Sequence, residues 1–589
     1  MWSGTLTPGF RARLALFSGA ALSALALGGC AMSPAAPPWF SEAMLEELRT
    51  QQEYADFITA RYAVMTGDPA SAATYYRRAW TSSPGDPGLL ERATISTLAA
   101  GDAAAAVKLA RGAPADAADD APSAQLALII DDIAEGRLKS AQTRLRKPVL
   151  GALNVDLAGF LSVWLATVEN AQKGVVEADQ LPGRRMVAGE QAALKAMVLM
   201  QAGRDDEAAE FFRQALRMPL ATRDAVATLG ASLQASRGNV QGARDLIALA
   251  AGGDDEGGPG VARVLADLDA GRKIVRPKLT ARSGAAMAMF VVSGTGLVRS
   301  SPELSAMRHA LVLHLDPDLA AARFALADAY TRQDRPDAAL AVLQSIPDST
   351  AWAADARMEA AAILNAEEKP AEALVMGDRA LSLSLSQRRE ILVRAGDLNR
   401  FNGRLDVARK LYDLVIAADT ARGRADWMVL YARATVRNEA ADWAGAEEDL
   451  KAAMAIEPDR PELLNYLGYG WIKQGKRIEE GLALITRAAE SRPDQGYIVD
   501  SLGWAHYQLG HYDVAIEHLE RAAELSPIDP EILDHLGDAY WRSGRQDDAR
   551  FEWLAALRLK PEAAREITLR EKLEKGLPAM PGARLASRP

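Results

Sequence analysis

The apolar positions of this chain recur at a helical spacing, and the helices they predict come in pairs. The pattern is clearest between Pro461 and Pro561. Leu467-Gly468, Leu502-Gly503 and Leu536-Gly537 each open a unit that runs on to a second glycine at Gly475, Gly510 or Gly544. Two small residues follow in each unit (Gly481 and Ala488, Ala515 and Ala522, Ala549 and Ala556), and a proline closes it. The closing prolines, Pro493, Pro527 and Pro561, stand 34 residues apart. A fixed period of this length is the mark of a helical repeat array.

One unit explains the residue choices. With Pro530 as its first position, Leu533, Leu536, Gly537 and Tyr540 fall on a single helical stripe. Gly537 has no side chain to hold a partner helix away. Gly544 can end the helix in the left-handed conformation at low steric cost. Ala549, Trp553 and Ala556 form the facing stripe of the second helix, which Pro561 cannot continue. Such a hairpin cannot cover its own core alone, but a stack of hairpins can. These residues resemble the tetratricopeptide repeat family, whose L-G-x-x-Y…G…A…W/F…A…P pattern is met across residues 536 to 561. The unit at Gly496 carries His506 where the family usually has an aromatic, and the unit at Pro461 has one extra residue in its turn and Gly481 for the usual alanine. The resemblance implies an all-α chain wound as a right-handed superhelical solenoid of helix-turn-helix repeats.

The same phrase is legible from Gly67, Ala72, Tyr76, Ala79 and Pro84 onward. In the first half its alanines, Ala72, Ala106, Ala141, Ala208 and Ala243, stand 34, 35, 67 and 35 apart, and the gap of 67 leaves room for one degenerate unit at Leu157 to Asp179. In the second half the small residues Ala339, Ala373, Ala408, Ala446, Gly481, Ala515 and Ala549 are spaced by 34, 35, 38, 35, 34 and 34, preceded by a weaker unit ending at Pro317. This gives twelve legible and two degenerate repeats in two arrays, 41–250 and 286–561. The irregular stretch 251–285 divides them: an acidic glycine-rich loop, a short helical stretch from Val261 to Asp269, and basic residues between Arg272 and Lys278. The apolar run from Gly284 to Gly296 reads as a degenerate repeat helix; its Gly-Thr-Gly lacks the Lys-Ser/Thr of a phosphate loop. Residues 562–589 read as a capping helix, Glu562 to Gly576, followed by a disordered tail.

Ahead of the repeats, Arg11 and Arg13 precede an uncharged apolar run, Leu14 to Leu27, too short for an ordinary membrane span. Residues 1–29 are therefore expected to be a cleaved signal peptide. Leu27-Gly28-Gly29-Cys30 resembles the lipobox of bacterial lipoproteins, which implies cleavage before Cys30 and acylation of its sulfur and amine. Several acyl chains at about 0.8 kcal/mol per buried CH₂ make an effectively permanent anchor. Ala31 in place of Asp implies sorting to the outer membrane, facing the periplasm. Residues 30–40 form the lipidated cysteine and a proline-rich tether.

Composition narrows the function. The formal charge of −10 argues against a nucleic-acid partner, and the one cysteine excludes internal disulfides and thiolate metal clusters. His506, His511, His518 and His535 fall within thirty residues but at no metal-ligand spacing, so neither a metal nor another cofactor is expected. No nucleophile elbow or acid–base carboxylate pair is found, and the chain is not expected to be an enzyme. What remains is a binding surface. In tetratricopeptide repeats, positions 2, 5, 9, 12 and 13 of the first helix line the concave groove. Carried onto this chain, the resemblance selects Tyr431, then Asn465, Tyr469 and Lys473, then Tyr497, Asp500, Trp504 and Tyr507, and finally Asp534, Trp541 and Arg542. Tyr, Trp and Arg are the side chains that anchor partner proteins. Asp500 and Asp534 occupy the positions of the family's Lys/Asn carboxylate clamp, which argues against that mode of binding.

A lipobox followed by a long repeat array resembles a group of Gram-negative tetratricopeptide lipoproteins. Among them it is similar to the outer-membrane adaptors that recruit a carboxyl-terminal processing protease for trimming cell-wall hydrolases. The resemblance implies a scaffold that binds protein partners, among them a periplasmic processing protease and its substrates. Two alternatives stand beside it: a structural scaffold for polysaccharide export or assembly machinery in the envelope, and an enzyme with an unrecognised site.

Overall fold

Several helix starts are set by a short polar side chain placed just before a proline. Asp68 accepts from the Ser71 amide ahead of Pro69, Asp86 from Gly88 and Leu89 ahead of Pro87, and Asp529 from Glu531 ahead of Pro530. Most turns within pairs use one left-handed residue. Gly510 and Gly544 supply it at φ 77° and 91°, while Ala441 holds the same position with a side chain at φ 63°. The extra residue in the turn after Pro461–Lys473 is absorbed by Arg477, which sits at φ 48° before the next helix.

The computed structural model describes residues 42–578 apart from 148–149, 151–153, 184–186, 252–256, 295–299 and 386–387. The expected leader, Cys30 and the tether lie outside the described residues. So do the tail from residue 579, the acidic part of the loop after Ala251, and most of the Gly-Thr-Gly. Among the described residues there are thirty-one α-helices and no strands. Six antiparallel pairs run from Glu42–Met65 with Pro69–Ser82 to Arg223–Ser236 with Val240–Ala251. Seven more run from Ala320–Thr331 with Pro336–Gln344 to Pro530–Ser543 with Gln546–Arg558. The degenerate unit proposed for the gap of 67 is the pair Val155–Glu169 and Ala171–Asp179, with Phe160 and Trp164 fully buried. Close helix approach is literal at Gly468 and Gly481: a Cβ on either would lie 2.6 or 2.8 Å from the other's carbonyl oxygen.

The weaker unit expected to end at Pro317 is the pair Ala281–Ser293 and Pro302–Leu315. It does more than continue the stack. Ala281–Ser293 packs on Val155–Glu169, and Pro302–Leu315 packs on Pro87–Ala99 and Pro122–Ala134, which are all first helices of first-array pairs. Every residue from Gly284 to Ser293 is buried, which accounts for a run apolar on all sides. A Cβ at Gly284 would stand 1.8 Å from the Trp164 ring, and the Trp164 indole donates to the Ala281 carbonyl at 3.1 Å. His314 Nε2 lies 3.2 Å from the Asp131 carboxylate, and Arg335 donates to the Ala99 carbonyl at 3.2 Å.

The stretch between the arrays joins this packing. Pro259–Asp269 lies on the last pair of the first array, and the basic non-helical segment after it crosses Ala188–Gln201. There Arg276 donates to the Met200 carbonyl at 2.7 Å and to Asp205 at 2.8 Å. One hydrophobic core consequently extends from Leu98 to Ala322, through the point where the sequence suggests a division. The hairpin is a plug in the inner face of the first array.

Candidate protein-binding groove

The second array offers its first-helix face to the residues selected from the repeat register, and the structure sorts them into three groups.

The first group is accessible. Tyr431 is half-buried on Trp427–Glu439, its ring 6.4 Å from Trp427 and 5.5 Å from Tyr466, and burial pushes its hydroxyl up to about 12. Tyr497 is 46% exposed and Lys473 is exposed. Tyr469 is half-buried; burial, with the nearby carboxylates of Glu531 and Asp500, pushes its hydroxyl well above the ordinary tyrosine range. Trp504 and Tyr507 are half-buried in a stack: Trp504 lies between Tyr507 at 4.5 Å and His535 at 4.0 Å, with planes 11° and 20° apart. Tyr507 also reaches Arg542 Nε at 3.4 Å.

The second group is internal. Asp500 is buried and accepts from His535 Nδ1 at 2.9 Å. Burial disfavours the His535 imidazolium, but the charge and hydrogen bond of Asp500 outweigh it and hold the ring's pKa above the ordinary histidine value. This pair fixes the ring on which Trp504 rests. Asn465 is buried at the groove floor, and its Oδ1 has no hydrogen-bond partner within the protein. Such an acceptor is costly to leave without water or a ligand donor.

The third group is covered by the chain itself. Ala563–Lys575 lies where the next repeat would stand, with Leu569 fully buried against the last pair. Its Lys572 lies 2.6 Å from Asp534 and 2.7 Å from Asp538, and its Arg565 lies 3.3 Å from Asp534. Trp541 packs on Gly576, where a Cβ would stand 2.0 Å from the indole, and Arg542 donates to the Pro578 carbonyl at 2.8 Å. Asp534, Trp541 and Arg542 are therefore held by the cap. The register places them on the groove face, and it does so for an unending stack.

Other residues share the open face. Tyr466 receives the Asn438 amide at 3.1 Å, and the Arg460 guanidinium lies 4.7 Å over Trp427. Met428 and Phe401 are 56% and 69% exposed. Phe401 and Met428 hold positions 13 and 2 of their units, so the register that selects Lys473 also reaches them once extended. His535 carried no such signal, because its role depends on a neighbour one repeat earlier.

The remaining polar clusters are structural in geometry. A cavity of about 630 Å³ opens between Gly257-Gly258 and Arg388, Arg389 and Arg394. Its guanidiniums are matched: Arg388 lies 2.6 Å from Asp355, Arg389 2.9 Å from Asp419, and Arg394 2.7 Å from Glu359. His506 and His511 bring their Nδ1 atoms to 3.5 Å, yet among the described residues no three metal-ligating side chains converge. No described helix is long and apolar enough to cross a membrane.

Comparison with known proteins agrees with this geometry. Residues 501–564 and 193–221 each match a tetratricopeptide repeat family model, one in each array. The TPR repeat-containing protein PA4667 of Pseudomonas aeruginosa is 38% identical over 85 residues, a match spanning 14% of this chain and 14% of that protein. Among solved structures, a tetratricopeptide repeat protein of Parabacteroides merdae is 13% identical with a TM-score of 0.38, covering 43% of this chain and 97% of that one. In the APC/C hetero-tetramer Cut9-Hcn1, the matched chain is 15% identical with a TM-score of 0.35, covering 91% of this chain and 99% of that one. The chain is an all-α solenoid of helix pairs, and the two matched stretches are tetratricopeptide repeats, a kind of repeat that suggests a protein-interaction scaffold.

Proposed function

We propose that this chain is a lipid-anchored scaffold of the bacterial envelope. In this reading Cys30 holds it at the periplasmic face of the outer membrane, and the groove of the second array brings an envelope processing protease to its protein substrates. The observation that carries the reading is which part of the concave face is left open. The plug hairpin fills the first array and the cap fills the last unit, so the accessible aromatics of this face run from Phe401 to Tyr507. Tyrosine and tryptophan on a rigid helical face give large contact area at low entropic cost, which suits protein ligands. The lipobox and the run that precedes it support the anchor.

The test is in-cell photocrosslinking from Tyr497 and Tyr469, followed by identification of what is captured. A protease or its substrates is expected, with a crosslinker at Trp541 giving none. Capture of polysaccharide-export components would replace the adaptor reading with the second scaffold reading. A Cys30→Ser protein that still partitions with membranes after a high-salt wash would refute the anchor.

A further inference from the structure

The two ends of the solenoid are finished differently. At the C-terminal end, Ala563–Lys575 turns a charged surface outward, with Ile567 its one large apolar side chain exposed. Among the described residues the N-terminal end has no such cover. On Glu42–Met65 the side chains of Tyr54, Ile58, Tyr62 and Met65 follow one another at four, four and three residues and are 68%, 47%, 64% and 80% exposed. Between Gln51 and Met65, Arg61 is the only charged side chain this helix exposes. Glu53 is turned to the Ser83 hydroxyl at 2.6 Å, and Asp56 is buried and accepts from Gln52. Terminal repeats normally need a polar outer face to stay soluble. This one presents an apolar ridge.

We infer that the ridge is an interface between two copies of this chain, which meet end to end across a two-fold axis at Ile58. The spacing is self-complementary. Tyr54 and Tyr62 each stand four residues from Ile58, so an antiparallel crossing sets Tyr54 of one copy against Tyr62 of the other, twice, with Ile58 on Ile58. The same crossing sets Arg61 opposite Ala55, so the one charge of the face meets no like charge. A two-fold contact uses the ridge of both copies at once and leaves none free for a third, so assembly closes at two. A membrane-surface helix would carry a basic flank, whereas between Gln51 and Met65 this helix exposes Arg61 alone. At roughly 200 Å² for each of the four side chains, the exposed fractions of Tyr54, Ile58, Tyr62 and Met65 amount to about 500 Å² per copy, or about 1,000 Å² for the pair. That lies just below the standard interface class and corresponds to a reversible, concentration-dependent dimer.

The test uses the full chain carrying Cys30→Ser, which removes both the lipid and the only native thiol. Sedimentation equilibrium over roughly a hundredfold range of concentration should show a monomer–dimer transition. Ile58→Glu, which sets two carboxylates against each other at the axis, should weaken it at least about tenfold while leaving the circular dichroism melt unchanged. As a second measure, Ile58→Cys should form a disulfide-linked dimer on mild oxidation much faster than Ile567→Cys at the opposite end. A chain monomeric at every concentration overturns the inference, as does a dimer indifferent to Ile58→Glu. A monomer whose stripe is protected from solvent labelling would show that the chain covers the ridge itself. A monomer that binds neutral vesicles and loses that binding with Ile58→Glu would assign the ridge to a membrane. Either result refutes the dimer.

Discussion

Acid should loosen the plug, and the size of the effect follows from one residue. His309, on Pro302–Leu315, is buried edge-on to Phe290 at 5.8 Å, and its Nδ1–H donates to the Ser305 carbonyl at 2.7 Å. Burial, with Arg308 and Arg332 repelling a second proton against the pull of Asp328, holds its pKa at about 4. Once the hairpin leaves the groove, the ring returns to the ordinary value near 6.5. The folded pKa is depressed, so the opened state binds more protons between those values. The contribution to stability is whole above about 6.5 and is lost as pH falls toward 4. At pH 5 the loss is about 2 kcal/mol, or about a thirtyfold rise in the opening equilibrium. Hydrogen exchange read on peptides from Ala281–Ser293 and Pro302–Leu315, corrected for the intrinsic pH dependence, should show that rise between neutral pH and pH 5. His309→Gln should abolish the difference. Equal protection at both pH values, or the same loss in the variant, would show that the imidazole does not govern the plug.

Further outcomes are expected at the groove, the cap and the plug. A partner that covers the exposed part of Tyr497 would bury about 90 Å² of it, so Tyr497→Ala should cost about 2 kcal/mol, or about thirtyfold in the affinity of a captured partner. Trp541→Ala, under the cap, should change that affinity by less than about twofold. Leu569→Ala should remove about 2–5 kcal/mol from the docking of the cap, read as faster exchange across Pro530–Ser543 with Pro370–Leu383 unchanged. Gly284→Val should destabilise the first array by at least about 1–3 kcal/mol in urea unfolding, because its side chain would overlap the Trp164 ring. Gly112→Ala, at a helix end with open space beside it, should be neutral or slightly stabilising.

The period was legible because each unit repeats the same steric demands. A small residue is needed wherever two helices touch, as at Gly468 and Gly481, and a left-handed residue wherever a hairpin turns, as at Gly510. Nothing in a period says which face of the stack a hairpin will occupy. Ala281–Ser293 and Pro302–Leu315 have helical spacing like any other pair, and their insertion into the first array rests on contacts such as Trp164 with Gly284, 120 residues apart. One local cue exists: from Gly284 to Ser293 the helix has no polar face, as a terminal or linking helix would need. The groove was legible only as far as a register can be. It placed Tyr431, Tyr469 and Tyr497 on the accessible face, and it placed Trp541 there equally, because a register carries no information about Gly576 closing over the indole.

A concave repeat surface can hold its own chain or hold a partner, and here the two uses are energetically separate. In a solenoid each unit is coupled chiefly to its neighbours. The plug belongs to the core from Leu98 to Ala322, whereas the open aromatics sit on clusters between Leu430 and Ala505, with the cores around Tyr330 and Tyr412 between them. A perturbation of His309 must cross those intermediate units to reach Tyr431, and each is packed through its own buried residues. Opening the plug in acid should therefore leave affinity at Tyr497 unchanged. In the proposed scaffold, the same separation makes the first array a self-filled spacer between the N-terminal ridge and the groove. If acid instead weakened partner capture as much as it loosened the plug, the units between them would have to move as one body, and the nearest-neighbour description of this chain would fail.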